Sequence, residues 1–147
     1  MLLNAAGMRD ICRFIETAQE LGLYIIIRPS PYICSEWEFG GLPAWLLRDR
    51  NMRLRCSYEP YLNAVKNYYS ELIPKLVPYQ IDRGGNIILM QIENEYGYYG
   101  NDKAYLEFRF LWRNIPVGRF RFVLRMVPEK TIRSEPVVIW AISLSTV

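Results

Sequence analysis

Two short apolar runs limit this chain more than anything else in it: LYIIIR at Leu23–Arg28 and NIILMQ at Asn86–Gln91. Neither alternates apolar with polar residues. A strand with one wet face alternates, so runs like these read as strands covered on both faces, as in parallel α/β sheets. The segments around them read as helices. In RDICRFIETAQELG, Ile11, Phe14, Ile15, Ala18 and Leu21 recur at helical spacing, and Gly22 supplies a stop. A second helix is expected over Tyr58–Leu76, with Leu62, Val65, Tyr69, Leu72 and Leu76 on one face and Pro74 kinking or ending it. A third is expected to begin near Asp102. Helix, strand, helix, strand, helix is the alternation that builds a parallel sheet.

In such folds the chemistry sits in the loops beyond the C-terminal ends of the strands. Both unusual stretches of this sequence fall there. RPSPYICSEWE follows the first strand, and QIENEYG follows the second. The second places Glu93 and Glu95 on either side of Asn94. Extended backbone would turn both acids to one side. Two close carboxylates resist ionising together, which raises one pKa and makes a general acid available near neutral pH. The bland alternative is a loop of solvated acids. The position straight after a buried strand brings the two readings level.

Composition removes several other chemistries. The 147 residues contain no histidine, which excludes Ser-His-Asp and Cys-His catalysis and the commonest metal ligand. Cys12, Cys34 and Cys56 show no CxxC spacing, so neither a zinc site nor a disulfide framework is expected. No metal and no cofactor are expected, and carboxylates remain as the agents of any chemistry. A net charge of +3 gives no nucleic-acid signature. No apolar run approaches the roughly 20 residues of a membrane span. With 51% hydrophobic residues the chain can bury one domain's core. Its 11 Tyr and 4 Trp can fill that core or line a ligand cleft.

RPSPYICSEWEFGGLPAWLL and GGNIILMQIENEYGYYG together resemble the catalytic domain of family 35 glycoside hydrolases, the β-galactosidases. The match covers roughly Met8–Leu106, so residues 1–106 are expected to be a fragment of that family's catalytic barrel. The resemblance implies a partial (β/α)8 TIM barrel, about its strands three and four with flanking helices. It implies hydrolysis of terminal β-galactosyl residues with retention and without a cofactor. Position by position, it makes Glu95 the general acid/base and Asn94 the partner of the sugar 2-hydroxyl. Cys34, Ser35 and Glu36 lie where the family binds galactose hydroxyls, although Ser35 stands where the family usually has Ala. Glu93 is grouped with the substrate-binding residues, with a supporting role as its other reading. Arg28, Tyr32, Trp37 and Glu38 would shape the first loop. Trp37 and Trp45 suit the core and sugar stacking equally, and GGLPAW suits a turn and helix start.

Retaining hydrolysis also needs a nucleophile carboxylate about 5–5.5 Å from the acid/base. In the family it is a glutamate late in the barrel, with no counterpart in these residues. The polypeptide alone is therefore expected to be inactive, with a β-galactoside as the family's substrate. The alternative is a non-catalytic carbohydrate-binding or interaction fragment. No oligomeric state follows.

Residues 107–147 do not resemble the family and form an unassigned tail. The codons of Val123-Leu-Arg-Met-Val-Pro128, read from the third base of the first, permit the Thr-Ser-Asp-Gly-Pro that the family carries after this helix. The tail thus reads as a frameshifted continuation with its break near Tyr105–Phe110, the alternative being a genuine but divergent tail. Unpaired strand edges and the apolar run PVVIWAI would then lower solubility. MLLNAAGMRD lacks the basic start of a signal peptide and reads like the middle of a longer protein. With three cysteines and no export signal, the expected location is cytoplasmic.

Overall fold

The computed structural model describes residues 10–29, 31–34, 36–111, 122–123 and 137–141. Helix α1 spans Ile11–Glu20 and leads into strand β1, Tyr24–Arg28. Asp10 caps α1 by accepting the Arg13 N–H at 3.1 Å. The helix ends in a Schellman motif: Leu23 N–H donates to Ala18 C=O and Gly22 N–H to Gln19 C=O, both at 2.9 Å. Gly22 takes φ 71° there, which only glycine adopts without strain. Leu21 therefore leaves the helical face on which its spacing had put it and is 70% exposed.

Helix α2 covers Glu59–Leu76 and starts with Pro60 in its first turn. Pro74 neither ends nor interrupts it; the helix runs two residues further and passes into a 3₁₀ turn at Val77–Tyr79. A proline so close to the C-terminus removes one backbone bond from a turn that is already tightening. Strand β2 is Ile87–Gln91, followed by the short helix α3, Tyr96–Tyr99, and by α4, Lys103–Leu111. Asp102 holds the start of α4, accepting Tyr105 N–H at 3.0 Å. Its other oxygen accepts Ser57 N–H at 2.7 Å, which ties α4 to the start of α2.

The described strands form one parallel sheet in the order β3-β2-β1-β4, where β3 is Phe122–Val123 and β4 is Val137–Ala141. The edge of β1 expected to be bare is thus paired along its length by β4, and that of β2 at Met90 and Gln91 by β3. The stretch Tyr105–Phe110, where the reading-frame break is expected, falls within α4, and most of residues 112–147 lie outside the described residues. The strand order is not sequential, because β4 lies beside β1 rather than beyond β3.

β1 and β2 pair as Ile25–Ile87, Ile26–Leu89 and Ile27–Met90, with Ile88 as the extra residue of a bulge. One face of this pair carries Ile25, Ile27, Ile87 and Met90 into a cluster with Ile11 and Ile15 of α1 and Tyr61, Val65 and Leu72 of α2. Burying each such aliphatic side chain stabilises the fold by about 2 kcal/mol. Asn86 braces the bottom of the sheet, donating its amide to Leu23 C=O at 3.0 Å and Ile15 C=O at 3.3 Å. The opposite face holds Ile26, Leu89 and Gln91, with Arg28 at its top. There Leu89 and Gln91 are half-buried. β1 is covered on both sides, as its apolar run required, whereas β2 is covered fully on one.

Candidate active site

The loops that leave the C-terminal ends of β1 and β2 come together above the sheet. β2 hands the chain to buried Ile92 and then to the Glu93-Asn94-Glu95 turn. Glu93 takes φ 68° and Glu95 φ 50°, both left-handed rather than extended. The expectation of two acids sharing one side rested on extended alternation and does not hold. A left-handed residue other than glycine costs about 1–2 kcal/mol, so the surroundings must impose the shape. Gln91 helps by donating its side-chain amide to Glu93 C=O at 2.8 Å. The Glu93 carboxylate helps by accepting the next N–H, that of Asn94, at 2.7 Å.

The two acids have opposite environments. Glu93 is only 3% exposed, and its carboxylate is saturated. Arg55 Nε donates to Oε1 at 3.2 Å and Nη2 donates to Oε2 at 2.8 Å, a two-pronged ion pair. Tyr105 Oη donates to Oε1 at 2.6 Å. Both Glu93 carboxylate oxygens are thus engaged by groups of the protein itself. Glu95 is exposed and starts α3 without using its side chain as a cap. Its C=O accepts Tyr98 N–H at 3.0 Å.

Asn94 lies between them, half-buried. Arg28 Nη2 donates to its side-chain oxygen. A guanidinium can meet only the oxygen of an amide, so this contact fixes which way the amide points. The NH2 end is left to donate on the side away from Arg28. The Asn94 C=O is held separately, by Arg55 Nη2 at 2.5 Å.

Arg55 had not been singled out by any motif, and the acid loop is built around it. It is 5% exposed, sits at φ 52°, and lies with its guanidinium carbon 3.9 Å from the Tyr32 ring centre and 4.0 Å from that of Tyr99. Burial alone would lower its pKa, but the hydrogen bonds and charge of Glu93 more than offset this and raise it. One signal did exist: a carboxylate directly after a buried strand needs a cation, and no base adjoins it in sequence.

The first loop meets the second through Tyr32. Its ring lies against Gly40, where an added Cβ would come within 2.0 Å of the ring, at φ 60°. Only glycine fits that position. Burial raises the Tyr32 pKa, with Cys34 adding to the shift. Cys34 and Glu36 are exposed and left-handed, at φ 64° and 47°. Ser35 lies outside the described residues. Trp37 is 66% exposed and Trp45 44%, so neither belongs to the core. GGLPAW does form a turn running into a 3₁₀ helix, Ala44–Arg48. Among the described residues, the six left-handed ones other than glycine lie in the loops after β1 and β2 or just before α2. Among the described residues no cluster of three metal-ligating side chains occurs, and no helix is long and apolar enough to cross a membrane.

Comparison with known sequences places these loops in context. The sequence profile of the glycosyl hydrolases family 35 matches residues 2–120. "Beta-galactosidase-1-like protein 2" of Homo sapiens is 50% identical over 103 residues, 70% of this chain and 16% of that protein. "Beta-galactosidase" of Mus musculus is 50% identical over 120 residues, 81% of this chain and 18% of its own length. "Beta-galactosidase 1" of Dictyostelium discoideum is 49% identical over 98 residues, 67% and 15% respectively. The chain therefore spans less than a fifth of the length of these relatives.

Proposed function

The chain belongs to the glycosyl hydrolases family 35, and from that premise we propose that it carries the acid/base half of a site for retaining hydrolysis of terminal β-galactosides. The observation that supports this most is the division of labour between two acids two residues apart. Glu93 is locked and neutralised by Arg55, while Glu95 is held on an imposed backbone with its carboxyl group facing out.

In this reading Glu95, protonated, donates to the glycosidic oxygen as the bond to the anomeric carbon breaks. A nucleophile carboxylate takes the sugar as a covalent glycosyl intermediate. Glu95, now ionised, removes a proton from the water that releases galactose. Asn94 donates its NH2 to the 2-hydroxyl, an interaction that strengthens in the transition state. Cys34, Ser35 and Glu36 contact the remaining galactose hydroxyls from the first loop. The nucleophile is assigned to no residue of this chain, and no cofactor is required. The β3-β2-β1 segment of the sheet is read as an arc of the family's barrel, with β4 in the place of the strand before β1. The polypeptide alone binds galactose without turning over substrate.

A second reading, a carbohydrate-binding piece with no catalytic role for Glu95, draws on the exposed rings of Trp37, Tyr98 and Tyr99 around the same loops. An aryl β-galactoside assay with parent and Glu95→Gln chains, beside galactose binding followed at the Asn94 amide, tests the proposal. Galactose binding that depends on Asn94, with no turnover in either chain, is the expected result. Turnover retained in that variant would overturn the acid/base role, and absence of galactose binding would overturn both readings.

A further inference from the structure

We infer that Arg55 is the positioning residue of this site: it sets the backbone that presents Asn94 and Glu95 and locks the second loop to the first. The inference rests on the reading of Glu95 and Asn94 just given, and goes beyond it to a residue that touches neither the sugar nor the reacting atoms.

Three sets of contacts carry it. Arg55 grips the acid turn at two points, the Glu93 carboxylate with both prongs and the Asn94 C=O at 2.5 Å. These points bracket the Glu93–Asn94 peptide, and Glu95 is the next residue. A rigid guanidinium fork can fix that peptide; an ammonium, with one compact charge on a flexible stem, cannot hold both points in one plane. The second set is the ring pair. Tyr32 comes from the loop after β1, Tyr99 from α3 after β2, and each lies about 4 Å from the guanidinium carbon. A cation between two rings from different loops couples their positions. The third set anchors Arg55 itself. Tyr96 Oη donates to Arg55 C=O at 2.8 Å, and Tyr99 Oη donates to Leu54 C=O at 3.3 Å. The segment before α2 and the start of α3 therefore hold each other through side chain and backbone at once. Tyr105 from α4 closes the arrangement on Glu93.

A merely structural ion pair would be replaceable. Exchanging both partners of a buried pair for apolar side chains of similar volume is often neutral for stability, whereas removing one leaves a costly unpaired charge. The positioning role is lost either way, because no apolar pair can hold the Asn94 C=O. Arg55→Met/Glu93→Leu separates the two, measured in the full 147-residue chain against the parent, with Arg55→Lys as the conservative variant. Two readouts are taken: amide hydrogen exchange at residues 92–99, compared with the amides of β1 and β2, and galactose affinity.

The double variant is expected to melt within a few degrees of the parent and to keep the protection of β1 and β2. It should exchange the 92–99 amides at least 10-fold faster and lose at least 10-fold in galactose affinity. Arg55→Lys should keep its charge yet show the same loop opening in milder form. Unchanged 92–99 exchange in the double variant overturns the positioning role. Loop opening in the double variant, when the parent chain itself fails to bind galactose, would uphold the role of Arg55 while removing the functional reading on which it rests. If the double variant fails to fold, the same exchange comparison on Arg55→Lys decides: an unchanged loop overturns the inference and an opened one supports it.

Discussion

The loop after β2 and the loop after β1 solve the same problem in opposite ways. Each contains two acids close in sequence and each bends through left-handed residues. The second loop buries one acid against a cation, fills that acid's hydrogen bonds, and thereby holds the backbone that leads to the other. The first loop leaves Glu36 and Glu38 both exposed, with Trp37 between them. Its fixed point is the Tyr32 ring lodged against Gly40 and Arg55. Proton transfer in the proposed reaction needs a carboxyl group held in one place. Contacts to sugar hydroxyls tolerate a softer mount. The difference between the loops matches the difference between those tasks.

The sharpest way to break this contrast is to remove one partner of the buried pair. Arg55→Ala and Glu93→Ala should each lower stability by about 3–5 kcal/mol, since each leaves a buried charge unpaired. Chemical denaturation read against the parent checks this, and a loss under about 1 kcal/mol would show that the pair behaves as a surface contact. Next in size is Asp102→Ala, which removes the cap of α4 and the tether to Ser57 and should cost about 1 kcal/mol.

The same residue gives a pH dependence. N–H groups of Tyr105 and Ser57 hold the Asp102 carboxyl below its ordinary value. A depressed folded pKa means the stabilisation is complete above the unfolded value, about 3.9, and is lost as pH falls through the folded one. Melting temperature between pH 5 and pH 2 should therefore fall less steeply in Asp102→Asn than in the parent.

A smaller effect with the opposite sign is expected at Glu95. Glycine is at ease at φ 50°, so Glu95→Gly should leave stability unchanged or raise it by about 0.5 kcal/mol. A clear loss of stability would mean that the Glu95 side chain helps to hold the loop. Smallest of all, Glu36→Gln and Trp37→Ala should change stability by less than about 0.5 kcal/mol, as exposed positions do. Any larger loss would blur the contrast between the loops.

Much of the scaffold was legible because it follows from periodicity. Ile25–Ile27 announced a covered strand, and the spacing of Val65, Tyr69 and Leu72 announced the buried face of α2. Leu21 misled because periodicity cannot see a Schellman turn removing the last residue from the helix. The motif residues Asn94 and Glu95 were legible by resemblance. Their geometry was not, because glutamate carries no mark of a left-handed backbone; the neighbours impose it. Arg55 stood among ordinary arginines, 38 positions from Glu93, and only folding brings them together. The contribution of Tyr105 was hidden in the same way, since a tyrosine on the buried face of a helix reads as core whether or not its hydroxyl reaches a carboxylate.

The most direct measurement is a galactose titration of the isotope-labelled chain, followed at every assigned backbone amide. Saturable shifts concentrated at residues 31–38 and 91–99, and abolished by Asn94→Ala, are the expected result. Shifts scattered over the molecule, or centred on α1 and α2 with the acid loop silent, would contradict a galactoside site at Glu95.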